Sequence, residues 1–312
     1  MNYAKLDINT EAGHEVEYIP MVGTIDLDLF PRMWRAPFGG SRLYFNKTDS
    51  FFYSGLTGPI GRVADKRFLR DAAVKMAFEG RSADEEWGER AEYGSCFHLL
   101  VALHERGELV FSFDNKEWHV VVDSFMEEHR LWDHKKRWVE DIQNDFYAYF
   151  QWKKDYEVEV LATEIMVANS NYAIATPLDI VCTLKFNKGR IMANVNLKTG
   201  DKGFSDDYAT QAGMEAWLFN MHWDQMRGSF CWRPKARKTS PGNYEMSKNH
   251  YHTDEASIAL YDHIARGVKL LRLNETNHKF VFYSGQEGSH QAQHLSAKDW
   301  LTIWQGHTPN PF

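Results

Sequence analysis

The sequence predicts an α/β domain with a small central mixed β-sheet, flanked by helices and carrying helical insertions. Two helical patterns, over 63–78 and 90–107, precede three strand-like runs within 156–197, and a cappable helix follows at Ser205 or Asp206. With 312 residues, 43% of them hydrophobic, the chain can bury one large core. It therefore reads as a single domain over 1–312. A β-rich segment covers 1–50, a helical segment 51–110, a core 156–222 and a C-terminal completion 223–312.

Taken in order, 16–22, 25–30 and 42–45 read as short strands, punctuated by Pro37, Gly39 and Gly40, and 51–60 as a strand and turn. Residues 63–78 place Leu69, Ala73 and Met76 near helical spacing, with Lys66, Arg67, Arg70 and Lys75 on a basic face that is either solvated or meets phosphate. Residues 90–107 form a second helix, almost wholly apolar between Cys96 and Leu103, with His98 inside it and His104 on another face. Residues 118–125 suggest a strand. The charged and aromatic stretch 127–152, holding Lys135, Lys136 and Arg137, reads as one or two helices inserted over a substrate groove.

The organising stretch is 175–217. A strand to Phe186, a turn at Asn187-Lys188-Gly189 and a return strand over 191–197 make a hairpin, closed by Lys198-Thr199-Gly200. The following helix runs through Tyr208, Ala212, Glu215 and Leu218 and carries Gln211. Asn196 and Lys198 are two apart and leave the same face of their strand. A strand over 156–166 leads into this hairpin and holds Glu164. After it, 226–239 carries Arg227, Arg233, Lys235, Arg237 and Lys238 with no acidic residue, interleaved with Phe230 and Trp232. Cations and rings together are what a single-strand nucleic-acid groove requires, although a strand with a basic loop reads the same way. Helices over 256–271 and 297–304 bracket a strand at 279–283.

Thr176-Pro177-Leu178-Asp179, then Asn196-Leu197-Lys198-Thr199-Gly200, then Gln211 opening a helix, resembles the PD-(D/E)XK nuclease superfamily. The RecB-type branch, which includes phage recombination exonucleases, is the nearer pattern: G-x-I-D, then D-x-K-T-G, then Q-x-x-x-Y. Gly94 to His98 also fits that branch's G-x-x-x-H helix, in which a small residue lets the backbone approach the site. The resemblance implies a restriction-endonuclease-like core and a metal-dependent DNA nuclease, an exonuclease of recombination, repair or replication. It implies Mg²⁺ or Mn²⁺ held by His98, Asp179, Glu164 and residue 196, with Lys198 positioning or activating water and Gln211 orienting the strand or the lysine. The plain alternatives are a buried histidine satisfied by a carbonyl, and a surface carboxylate at Glu164. Gly23-Thr24-Ile25-Asp26 matches the first pattern more literally, but no carboxylate-x-Lys follows it.

The family's second acid is Asn196 here, and an amide brings no charge to a cation. Three readings stand. A deliberate Asp-to-Asn change traps substrate uncleaved, the chain is a natural DNA-binding pseudonuclease, or Glu164 and another carboxylate compensate. The other motifs are intact, which favours the first and predicts that Asn196→Asp raises cleavage. The rival from another class is a non-catalytic DNA-binding or assembly protein on the same scaffold.

The balance of 36 basic against 43 acidic residues argues against indiscriminate nucleic-acid coating, while leaving room for a locally basic groove. Three scattered cysteines are too few for a four-cysteine iron–sulfur cluster and fit reduced thiols. No apolar run reaches the ~18 residues of a membrane span, and the first residues hold no apolar signal core, so an intracellular protein is expected.

Overall fold

A computed structural model describes residues 30–277, apart from 32, 39–40, 47–50, 58–59, 61–66, 188, 201–202 and 236–238, together with 280–283 and 292–295. Among the described residues, eight strands form one open mixed sheet: β1 (Trp34–Phe38), β2 (Ser41–Asn46), β3 (Phe51–Gly55), β4 (Glu159–Asn169), β5 (Ile174–Phe186), β6 (Gly189–Leu197), β7 (Met226–Pro234) and β8 (Tyr244–Met246). The α-helices that the described residues form in full are α1 (Arg67–Phe78), α2 (Ala83–Glu105), α3 (Glu117–His129), α4 (Lys135–Asp155), α5 (Asp206–His222) and α6 (Glu255–Asn277). A separate hairpin pairs β9 (Phe280–Tyr283) with β10 (Ala292–Leu295). The sheet is larger than expected because β1–β3 join it, with Pro37 tolerated on the edge strand β1.

Long β5 is the spine. One of its edges pairs with β4, antiparallel, from Ile174 to Thr183. Its other edge is shared: Ile174 and Ala175 pair with β3 in parallel, and Ile180 to Phe186 pair with β6 antiparallel. Thr176 to Asp179 lie between these two ladders without a strand partner on that side among the described residues. Pro177, which has no N–H to donate, suits such a position.

The two faces of the sheet are covered by different helices. On one, Ile180, Cys182, Leu184, Val195, Phe230 and Trp232 pack against the apolar faces of α2, α3 and α4. On the other, Ile165, Val167, Leu178 and Val181 pack against Met214, Leu218 and Phe219 of α5 and Tyr261 of α6. Strands buried on both faces explain the near-continuous apolar runs of β4 and β5.

Two sequence expectations are corrected here. Residues 118–125 are helical within α3, not a strand, because Trp118, Val121, Val122, Phe125 and Met126 are buried at helical spacing. The Val-Val-Val run suits a strand locally, but packing on one helical face overrides that preference. The segment 127–152, expected as an insertion over a groove, is built into the main core. After α3 ends at Arg130 in the left-handed region, α4 buries Trp138, Phe146, Tyr149 and Trp152 completely in the main core.

The start of the second helix lies further out than expected. Helix α2 starts at Ala83, where the Ser82 hydroxyl accepts the Glu85 N–H and three acids occupy the first turn. Helix α5 begins after Ser205 as expected. Asp26, the strands expected over 16–30 and the helix expected over 297–304 lie outside the described residues, apart from Phe30.

Candidate metal centre

The site begins where β5 and β6 part. Their ladder ends at Ile180 opposite Val195, although β6 continues beside β7 to Leu197. Asp179 sits in this fork, and its Oδ2 accepts the Leu197 backbone N–H at 2.8 Å. The Leu197 carbonyl accepts a hydrogen bond from His98 Nε2 at 3.2 Å. One residue thus holds the carboxylate from β5 and the imidazole from α2.

A carbonyl only accepts, so Nε2 carries the hydrogen and Nδ1 is left facing the site. Nδ1 lies 3.7 Å from Asp179 Oδ1 and 3.8 Å from Glu164 Oε1. The satisfied buried histidine and the site histidine are therefore one and the same side chain. Burial, the largest influence on this imidazole, lowers its pKa, but Asp179 and Glu164 outweigh it and the net direction is up from 6.5.

Glu164 is buried on β4, not a surface carboxylate. Its φ is +55°, and among the described residues it is the one non-glycine with positive φ that lies inside a strand. The ladder passes from Thr163–Ile180 to Ile165–Leu178, which sets Glu164 opposite Asp179. A left-handed carboxylate costs on the order of 1–2 kcal/mol, and such strain concentrates at functional sites. His98, Glu164 and Asp179 each offer one ligand atom, all within 4.8 Å of one another. One imidazole nitrogen with two carboxylate oxygens is a donor set suited to Mn²⁺ or Mg²⁺.

Beside this trio lies a second layer from β6 and α5. Lys198 Nζ is 3.5 Å from Asn196 Oδ1 and 4.9 Å from the Tyr208 ring centre. Asn196 and Lys198 share a face, as their spacing required. Burial would lower the Lys198 pKa, but Asp179 leads the groups that outweigh it and raise it above 10.5, so it stays an ammonium at neutral pH. Gln211 Nε2 donates to Glu215 Oε1 at 2.7 Å and approaches Asn196 Oδ1 at 3.3 Å.

Glu215 is the residue that sequence reasoning missed. It is fully buried and accepts from Asn196 Nδ2 at 2.6 Å, Asn194 Nδ2 at 2.9 Å, Gln211 at 2.7 Å and the Thr176 hydroxyl at 3.4 Å. Its signal was a lone carboxylate four residues after Gln211, inside the apolar run Met214–Phe219. Burial first, then the Asp179 carboxylate, push its carboxyl up to about 7.

Gly94 has the role expected of a small residue before His98: a Cβ there would sit 2.9 Å from Thr199 Oγ1. His104, by contrast, is structural, its Nδ1 accepting the Phe111 N–H at 3.2 Å.

The expected nucleic-acid stretch is divided by the structure. Trp232 is wholly buried, stacked on Phe97, so its indole is unavailable to stack on a base, and that expectation is withdrawn. Arg233 is also nearly buried, donating from Nε to Glu245 at 2.9 Å, which makes it a structural ion pair. Arg227 pairs with Asp224 at 2.9 Å on the surface, and Lys235 is exposed. Arg237 and Lys238 lie outside the described residues. The three cysteines are buried and form no disulfide, and no described helix is long and apolar enough to cross a membrane.

Fold and site together define an α/β protein with a mixed open sheet and a His–Glu–Asp cluster at its centre. No protein-family model matches the chain, and no curated protein matches it.

Proposed function

We propose that this chain is a metal-dependent DNA nuclease on a restriction-endonuclease-like core, acting as an exonuclease in recombination, repair or replication. The observation that carries this reading is the convergence of His98, Glu164 and Asp179 on one point beside Lys198, at the fork between β5 and β6. Four separate elements, α2, β4, β5 and the end of β6, contribute residues to it.

His98, Glu164 and Asp179 would hold the cation, which when bound lowers the pKa of water and neutralises charge on phosphate. The protein's own side chains do the rest. The Leu197 backbone, through its N–H and its carbonyl, fixes both the Asp179 rotamer and the His98 tautomer, so the donors are preorganised. Lys198 stays charged, which suits it to stabilise the anionic phosphorane and position water, not to act as a general base. Gln211 and Asn196 hold the lysine's neighbourhood in place.

End-labelled single- and double-stranded DNA, incubated with the full chain and Mg²⁺ or Mn²⁺ and resolved on a gel, tests the proposal. Metal-dependent shortening from the labelled ends supports it. No cleavage of any DNA form with either ion would leave the rival, a non-catalytic DNA-binding or assembly protein, which would bind DNA equally with and without the cation.

A further inference from the structure

We infer that Asn196 and Glu215 act as one unit, in which the Glu215 carboxylate on α5 supplies the negative charge that position 196 lacks, and Asn196 is the residue this site is built around. The inference rests on the reading that the His98–Glu164–Asp179 cluster takes a divalent cation.

The orientation of Asn196 carries the argument. Its Nδ2 donates to Glu215 Oε2 at 2.6 Å, which turns Oδ1 toward Lys198 at 3.5 Å and Gln211 at 3.3 Å. An amide has one acceptor end and one donor end, and the buried carboxylate selects which faces the site. If Asn196 were a lesion in a site shaped for aspartate, its Nδ2 would occupy a place suited to a carboxylate oxygen, opposite donors. It faces an acceptor instead. Asn194, on the same face of β6, also donates to Glu215, as do Gln211 and Thr176. Every side chain around Glu215 that bonds it is a neutral donor, so this cradle is made to hold a carboxylate at 215.

An aspartate at 196 would lose the Nδ2 donor and set two carboxylates against each other where 2.6 Å now separates donor and acceptor. The second acid of the site has in effect moved from the strand to the helix behind it. It reaches the cation side through a polarised amide whose oxygen is held in place.

Transposing the two groups tests this. Mn²⁺ binding to the full chain is measured by calorimetry for the unsubstituted protein, Asn196→Asp, Glu215→Gln and the double variant, with circular dichroism and thermal unfolding on each. Each single variant is expected to weaken Mn²⁺ binding about tenfold, and the double variant to return within about threefold of the original, because the amide then at 215 would donate to the carboxylate then at 196. A single Asn196→Asp variant that fails to fold while the double variant folds and binds Mn²⁺ also supports the unit. Tighter Mn²⁺ binding by Asn196→Asp alone, or losses that simply add in the double variant, would overturn it. Coupled Mn²⁺ binding with no DNA cleavage by any variant would remove the nuclease reading and leave the unit standing. Cleavage by the original protein without recovery in the double variant would do the reverse.

Discussion

The carboxylate of Asp179 takes the backbone N–H of Leu197 at 2.8 Å, in place of the ladder bond that β5 would otherwise have continued to β6. A strand partner is exchanged for a side chain, and the two strands open around it. Lys198, the next residue, keeps its own N–H on the Trp232 carbonyl at 2.8 Å, so β6 stays anchored to β7 while its other edge is released. The fork thus presents Asp179 and Lys198 from opposite strands without loosening either.

Because the Lys198 ammonium faces Asn196 and Tyr208 and is not itself a cation ligand, its loss should separate chemistry from cation binding. Lys198→Met is expected to lower metal-dependent cleavage by about 10²–10⁴-fold while Mn²⁺ affinity stays the same or rises. Single-turnover cleavage alongside calorimetry checks this. Equal loss in both measurements would mean that the lysine shapes the cluster and has no part in the reaction.

Trp232 makes a second case, in which burial decides between two roles. Its ring stacks on Phe97 at 6.1 Å between centroids and meets Tyr149 edge-on. Trp232→Ala is expected to cost about 3–5 kcal/mol in urea unfolding. Trp232→Phe should fold and leave the salt dependence of DNA binding unchanged. A DNA-specific loss in the phenylalanine variant, with stability unaltered, would restore the stacking role.

Helix α5 carries both Gln211 and Glu215, and its depth is set at Gly213. A Cβ there would lie 2.6 Å from the Tyr261 hydroxyl and 2.8 Å from the His250 carbonyl oxygen. The second contact is backbone and cannot rotate away. Alanine is preferred to glycine inside a helix by about 1 kcal/mol, so a net loss reports the clash directly. Gly213→Ala is expected to destabilise the protein by about 1–3 kcal/mol and to weaken Mn²⁺ binding, as α5 lifts from the sheet. Thermal unfolding with calorimetry measures both, and a more stable variant with unchanged binding would contradict it.

Much of this site was legible because its spacing is local. Residues 196 and 198 share a face by the period of a strand, and Gly94 precedes His98 on a helix whose apolar run is plain in the sequence. Glu164 was legible only as a carboxylate on the right strand, since neither its left-handed backbone nor the register that sets it opposite Asp179 has a local signal. Glu215 was hidden for a different reason. Its importance comes from Asn194 and Thr176, which are distant in sequence and arrive through strand order. Trp232 misled because aromatic residues among cations describe a buried strand whose arginines pair with nearby carboxylates as readily as a base-stacking groove.

Two groups of the metal-free site set a pH dependence of the same sign. Burial and then Asp179 push the Glu215 carboxyl from 4.5 up to about 7, despite Lys198 and the donors from Gln211 and Asn196. A carboxyl whose folded pKa exceeds its unfolded value contributes stability fully below about pH 4.5, and loses it as pH rises through about 7. His98 acts likewise: burial opposes the shift, Asp179 and Glu164 prevail, and its contribution, full below 6.5, fades as pH passes its raised value. Urea unfolding of the metal-free chain should therefore show stability falling between pH 5 and pH 8, by on the order of 3 kcal/mol. Glu215→Gln should flatten most of that slope, and His98→Asn part of the remainder. Saturating Mn²⁺ should reverse the trend, because the cation needs the ligands deprotonated and binds the folded state more tightly as pH rises. A metal-free chain that gains stability over this range would show that Glu215 is ionised throughout, its four donors outweighing burial.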